Sequence, residues 1–359
     1  MSPTVLAAWE SAAQQAYSDP ARMHHAGRQA GLLLESARSS IAKSLGVNPQ
    51  QVFFAASASE ALRVAIQGVY RQRRRVSSRI IASDIESMAV LQALGNLVGL
   101  EGAELVQVPA LESGALNLEI MREVLPQGAA VACVQLANAE VGTRQPFREV
   151  LQLARSQGIP VISDATGVVS HENLPQDFDV LIAPARDWGG PPGVAILITH
   201  GQFHWRPEEA PDRGWIGGFP DIPAAVAAAV ALEESSQWEI SALQSRKLID
   251  EIRNSLAGME VLGIHCTGDA NNRLPHIVTF TIKGAAAGAL VTELDKRGIY
   301  VASGSACTAD SRMPSHVLQA MGIPHESSIR ISLPSSCSPE EIETFLDVLP
   351  DAIKAVVSN

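Results

Sequence analysis

Lysine is the residue this sequence has least of relative to its charge. Of its 27 lysines and arginines only five are lysine: Lys43, Lys247, Lys283, Lys296 and Lys354. None lies between Ser44 and Arg246. A ligand carbonyl held by that long middle section meets no local primary amine with which to form an imine. Cysteine is also sparse, and Cys133, Cys266, Cys307 and Cys337 are far apart with no Cys-x-x-Cys pair. That spacing excludes a disulfide framework and a structural zinc. The dipeptide His265-Cys266 has no second pair of metal ligands nearby and reads as surface or core filler. No apolar run reaches transmembrane length, and Glu10 interrupts the apolar start too soon for a signal peptide. A cytoplasmic protein is expected. Basic residues cluster only at Arg71 and Arg73 to Arg75, the solvated end of a helix, against a net charge of -11. Nucleic-acid and membrane-surface partners are therefore not expected.

What is present is a chain of 359 residues with 46% hydrophobic content, enough for one large domain or two ordinary ones. Strand-like and helix-like segments alternate along the first two thirds. The turn Ala183 to Gly193, rich in Gly and Pro, joins two buried strands, Asp179 to Ile182 and Val194 to Thr199. Ala130 to Gln135 is a near-continuous apolar run of the kind found in a parallel sheet covered on both faces. A long Ala-rich helix is predicted from Ala224 to about Leu256. Residues 1–257 are expected to form a large domain and 258–359 a small α+β one, with strands at Val261, His276 to Ile282, Ile299 to Ala302 and Ile329 to Leu333.

Several stretches carry a more specific signal. Ala55-Ala56-Ser57-Ala58-Ser59-Glu60 turns from a strand into a helix, where free N–H groups and the positive helix end suit an anion. An ordinary N-cap explains the same residues. Asn138-Ala139-Glu140-Val141-Gly142-Thr143-Arg144-Gln145-Pro146 follows the apolar run, and Asp164 ends the next strand, where it could also cap a turn. Ser303-Gly304-Ser305-Ala306-Cys307 and Ser328-Ile329-Arg330-Ile331-Ser332 lie near the C-terminus. Taken in order, these segments resemble the cysteine desulfurases, pyridoxal-phosphate enzymes of the class V aminotransferase group. The resemblance implies an α/β fold of fold-type I: a mostly parallel sheet with helices on both faces, plus a small C-terminal α+β domain. A homodimer is implied with it.

The resemblance also assigns roles. It makes Cys307 the catalytic sulfur-accepting thiol, on a Gly/Ser loop. Arg330 and Asn138 fall on substrate-binding positions, Ser59 on the phosphate-binding hydroxyl, and Asp164 on the carboxylate that pairs with the pyridinium nitrogen. Other positions depart from the pattern. The family's Schiff-base lysine is Asp187 here and the histidine before it Arg186. Its ring-stacking histidine is Ser87, its second asparagine Ala139, its glutamine Gly167 and its cross-subunit threonine Phe219. The family's chain usually begins earlier, with a segment that lines the substrate pocket, so part of that wall is expected to be missing.

Three readings follow. The first is a degenerate homologue, with pyridoxal phosphate bound noncovalently or not at all, that uses Cys307 as a sulfur acceptor or acts on a partner such as an active desulfurase or a sulfur-acceptor protein. The second is an active cysteine desulfurase. The third is a noncatalytic module for a small anionic ligand. No metal is expected in any of them.

Overall fold

The computed structural model describes residues 1–200, 203, 205–208, 214–259, 263–303, 315–324 and 327–357. Helix α1 (Pro3–Gln15) starts where the Ser2 side chain accepts from the Val5 N–H, with proline in the first turn. Helix α2 (His25–Leu45) stops at Gly46, which takes the left-handed conformation at φ 69°. Strand β1 (Val52–Ala55), α3 (Ala58–Arg73), β2 (Arg79–Ser83), α4 (Met88–Glu101), β3 (Glu104–Val108), α5 (Leu118–Val124), β4 (Val131–Cys133), α6 (Phe147–Ser156), β5 (Val161–Asp164) and β6 (Val180–Pro184) follow. The first large sheet is completed by β7 (Ala195–Thr199) and β8 (Trp215–Ile216).

The sheet order is β3-β2-β4-β5-β6-β7-β1-β8. Strands β3, β2, β4, β5 and β6 are mutually parallel, whereas β7 runs antiparallel to both β6 and β1. The reversal at β7 has a direct cause. The turn between β6 and β7 is too short for the crossover that a parallel neighbour requires.

Alternate residues along each strand face opposite sides. Phe53, Ile80, Val131 and Leu197 join α3 and α4 in one apolar cluster, and Phe54, Ile81, Ala132 and Ile196 join α2 and the following helix α7 (Ile222–Glu234) in the other. Fully burying each such large side chain contributes about 1.5–3 kcal/mol. Both faces are covered, as the apolar strand sequences required.

The expected single helix from Ala224 to Leu256 is two helices, α7 and α8 (Trp238–Ala257), separated by a 3₁₀ turn at Ser235–Gln237. Ser235 explains the break. Its hydroxyl donates back to the Leu232 carbonyl and meets the Ser170 hydroxyl, competing with the helix for backbone partners.

A second sheet, in the order β11-β12-β10-β9, is built from β9 (Ile264–Thr267), β10 (Ile277–Ile282), β11 (Ala302–Ser303) and β12 (Ser328–Ser332), all antiparallel. Helices α8, α9 (Ala287–Asp295) and α11 (Pro339–Val357) cover one face through Ile249, Leu290 and Phe345 against Val278 and Phe280. Between β11 and β12 lies α10 (His316–Ala320). The His265-Cys266 dipeptide proves to be part of edge strand β9, with Cys266 opposite Phe280 and half-buried on the core side. The strand expected at Val261 lies outside the described residues.

Candidate functional site

The C-terminal ends of β1, β2, β4, β5 and β6 open into a cavity of about 450 Å³. Ligands of open α/β sheets bind at this edge.

At one end of the cavity α3 begins. Ser57 is extended at φ -160°, and its hydroxyl accepts from the Glu60 N–H at 3.1 Å. This is the ordinary cap that the sequence allowed, and it leaves Ala58 and Ser59 lining the cavity at the positive end of a 16-residue helix. At the other end the Asp164 carboxylate, 5% exposed, also lines the cavity. Its Oδ1 accepts from the Thr166 N–H at 2.9 Å and the Thr166 hydroxyl at 2.6 Å, which fixes the group in place.

Asn138 lines the wall, but its side chain is committed to the scaffold. Its Oδ1 accepts from the N–H groups of Glu140 and Val141, and its Nδ2 donates to the Ile85 carbonyl. Arg330, on β12, donates to the Ala139 carbonyl at 3.3 Å and so reaches the same turn from the second sheet. Helix α10 reaches it too. The His316 ring bonds the Glu86 carbonyl at 2.9 Å, and His316 lines the cavity. Ser59, Asn138 and Asp164 thus line one cavity, and Arg330 reaches its wall at the Ala139 carbonyl. Cys307 lies outside the described residues.

The β6–β7 turn is built tightly. Ala185–Trp188 form a 3₁₀ turn closed by Gly189 at φ 83°. A β carbon on Gly190 would meet the Ala185 β carbon and carbonyl oxygen at 2.9 Å, so this position requires glycine. Trp188, 4% exposed, donates from its indole to the Ala228 carbonyl at 3.0 Å and anchors the turn to α7. Arg186 lines the cavity and Asp187 does not. The Asp187 Oδ2 instead accepts the Gly167 N–H at 2.5 Å. Burial pushes the Asp187 carboxyl up to about 7, against the pull of the Gly167 N–H and the Arg186 charge, and the neighbouring Asp164 adds to the rise.

Four chemically significant groups escaped the sequence reading. Glu86 is fully buried on the cavity wall; its Oε1 accepts from the Gln135 N–H, and its Oε2 has no hydrogen-bond partner among the described residues. Burial first, and then Asp164, drive its carboxyl well above the usual range. Glu140 is also buried on the wall, and burial raises its carboxyl. His171 and His276 stack with ring centres 3.7 Å apart, beside Arg330. Burial lowers His171 to about 4, against a bond to the Asp187 backbone, and burial holds His276 well below its ordinary value. Glu140 stood inside a quoted segment and Glu86 directly before Ser87, yet nothing in a sequence distinguishes a buried carboxyl from a solvated one.

The donor set fits part of pyridoxal phosphate. Asp164 suits the ring nitrogen, and the start of α3 suits the phosphate. The aldehyde end does not fit. All five lysines are exposed, and none lines the cavity. Among the described residues no cluster of His, Cys, Asp and Glu could hold a metal ion.

Residues 1–345 match the model of the class-V aminotransferase family. An IscS-like cysteine desulfurase from Mycobacterium tuberculosis is 33% identical over 371 residues, covering 98% of this chain and 93% of its own. The cysteine desulfurase IscS of Clostridium botulinum strain Hall is 27% identical, covering 94% and 88%. Among solved structures, a NifS-like protein superposes with a TM-score of 0.88 at 26% identity, over 99% of this chain and 97% of that one. A NifS-like protein from Rickettsia africae gives 0.83 at 22% identity, over 98% and 96%.

Proposed function

Because this chain belongs to the class-V aminotransferase family, as a cysteine desulfurase-like member, we propose that it has lost lysine-dependent turnover of cysteine and keeps the fold for another use. The observation that carries this reading is the substitution at the turn between β6 and β7. Asp187 stands at the position of the family's lysine, its carboxylate is held on the Gly167 N–H, and no lysine lines the cavity. Loss of that amine removes both the imine exchange and the base for chemistry at the substrate Cα, each worth orders of magnitude in rate. Ser87, Ala139 and Gly167 cannot supply the ring face and hydrogen bonds that the family places there.

In this reading Cys307 is the remaining reactive group. Its thiolate attacks the outer sulfur of a persulfide on an active desulfurase, the donor cysteine leaves as a thiolate, and the sulfur passes on without net oxidation. The partner is then that desulfurase or a sulfur-acceptor protein, with the chain itself a homodimer in the cytoplasm. No helix among the described residues is long and apolar enough to cross a membrane. A second reading is favoured by Ser57, Ser59 and Arg186 at one cavity: a noncatalytic module holding a small anion, which would give ligand-dependent stabilisation without turnover.

The test supplies pyridoxal phosphate and L-cysteine and measures sulfide and alanine. Neither is expected. Labelled sulfur from a persulfidated desulfurase is expected on the wild-type chain and not on Cys307→Ser. Sulfide formation at the rate of an active desulfurase would instead establish the conventional enzyme.

A further inference from the structure

A second cavity, of about 550 Å³, lies between α6 and the loop that joins β5 to β6. Ala137 lines both cavities, so the two share a wall. The sulfur chemistry proposed above gives this second cavity no task. Its floor is apolar: Leu136, Phe147, Leu151 and Val168 line it, and all four are buried. Beside them Gln145 is locked in place. Its Oε1 accepts the Leu116 N–H at 2.8 Å, and its Nε2 donates to the Gly114 carbonyl at 2.9 Å. This wall is preformed, so a ligand does not have to order it.

The charges at the edge are unevenly matched. Arg144 is paired with Glu172, and Arg155 with Asp177 and Asp179. Arg148, Gln152 and Arg155 all line the cavity and are spaced along α6 so as to share one face of it. Arg148 is exposed and has no hydrogen bond or ion pair among the described residues. Glu149, next in the chain, forms no ion pair with it and sits in the first turn of α6, where the positive helix end favours a carboxylate. Burial, and then the charge of Arg246, hold the Arg144 guanidinium below its ordinary range, so an anion near it relieves a repulsion.

An apolar floor with a few charged groups at its edge is the common composition of a small-molecule site. A ligand carboxylate can satisfy the unpaired guanidinium through two parallel hydrogen bonds. A cationic ligand is served less well. Glu172 and Asp177 are already taken by arginine, and of the lining carboxylates only Glu149 is left for it.

We propose that this cavity binds an organic acid: a carboxylate carried on a hydrocarbon body. Arg148 receives the carboxylate, and Leu136, Phe147, Leu151 and Val168 receive the hydrocarbon. Binding is noncovalent. The site is separate from the cavity at the strand ends and stands independently of the sulfur-transfer reading.

The experiment titrates the full-length protein calorimetrically with octanoate and 3-phenylpropionate as probes, and with acetate and octylammonium as controls. At least one of the two acids is expected to bind saturably at one per chain, at least tenfold tighter than either control. Arg148→Gln should weaken that acid at least tenfold, and Arg148→Lys, which keeps the charge but not the paired donors, about threefold. Arg186→Gln, on the first cavity, should leave it unchanged. Absence of saturable binding by both acids would overturn the proposal. So would octylammonium binding as tightly as the acid, which would leave only an apolar surface, or acetate doing so, which would leave only an exposed arginine. Weakening by Arg186→Gln and not by Arg148→Gln would place the acid in the first cavity and overturn the second site.

Discussion

The carboxylate of Asp187 accepts the backbone N–H of Gly167 at 2.5 Å. Gly167 has φ 79°, a conformation that a residue with a β carbon rarely adopts, so the acceptor on the β6–β7 turn and the donor after β5 form a matched pair. The two positions at which the family resemblance places a lysine and a glutamine have become partners of each other.

Restoring the amine tests how much of the old site remains. Asp187→Lys should acquire an imine absorption band and a borohydride-stable adduct when pyridoxal phosphate is added. Sulfide release from cysteine should stay at least 10²-fold below that of an active desulfurase, since Ser87 and Ala139 still lack the family's contacts. Full activity from this single change would show that those contacts are dispensable.

The titration of the turn has a definite sign. Asp187 rises from 3.8 to about 7, so the folded state holds its proton more tightly than the unfolded state. Its contribution to stability is present below pH 3.8 and is lost as pH rises through about 7. His171 falls from 6.5 to about 4, and its contribution is present above pH 6.5 and lost as pH falls through about 4. Urea unfolding across this range should show Asp187→Asn removing part of the loss on the rising side. His171→Gln should remove part of the loss on the acid side. Variant and wild-type curves that stay parallel from pH 4 to pH 8 would contradict these assignments.

Trp188 holds the turn against α7 through its ring and the bond to Ala228. Trp188→Ala should cost about 3–5 kcal/mol of unfolding free energy, from the cavity left and the carbonyl stranded. Trp188→Phe, which keeps most of the apolar contact, should lose substantially less. Equal losses would mean that the indole hydrogen bond dominates the anchor.

Arg273 is fully buried and donates to the carbonyls of Ala270 and Leu274 and to Asp250. It ties the loop before β10 to α8. Arg273→Met keeps much of the volume but abandons the buried Leu274 carbonyl and the part-buried Ala270 carbonyl, and a loss of about 2–4 kcal/mol in chemical denaturation is expected. Asp250→Asn, at a partner 53% exposed, should cost under about 1 kcal/mol.

The strands of the large sheet were legible because their apolar runs are continuous and are bounded by Gly, Pro and Ser; β7 at Ala195–Thr199 and, in the second sheet, β10 at Ile277–Ile282 match the expected runs Val194 to Thr199 and His276 to Ile282 to within a residue. Ser235 broke the expected helix through a hydroxyl bond that propensity does not encode, and the two-residue β8 is too short to carry a period. In the site, the family resemblance made Asp164 and Ser59 readable as candidates, and both line the cavity. The orientation of Asp187 was not. Its identity marks a missing lysine, but only the fold shows it turned onto Gly167 while Arg186 faces the cavity. The stacked pair His171 and His276, 105 positions apart, is a product of packing between the two sheets' loops that no local motif records.

The most direct measurement is the intact mass of the wild-type protein after incubation with pyridoxal phosphate and borohydride, followed by peptide mapping. The account predicts an unmodified turn and no stoichiometric adduct at any of the five lysines. One stable phosphopyridoxyl group per chain on a single lysine would contradict it and return the protein to the lysine-dependent enzymes.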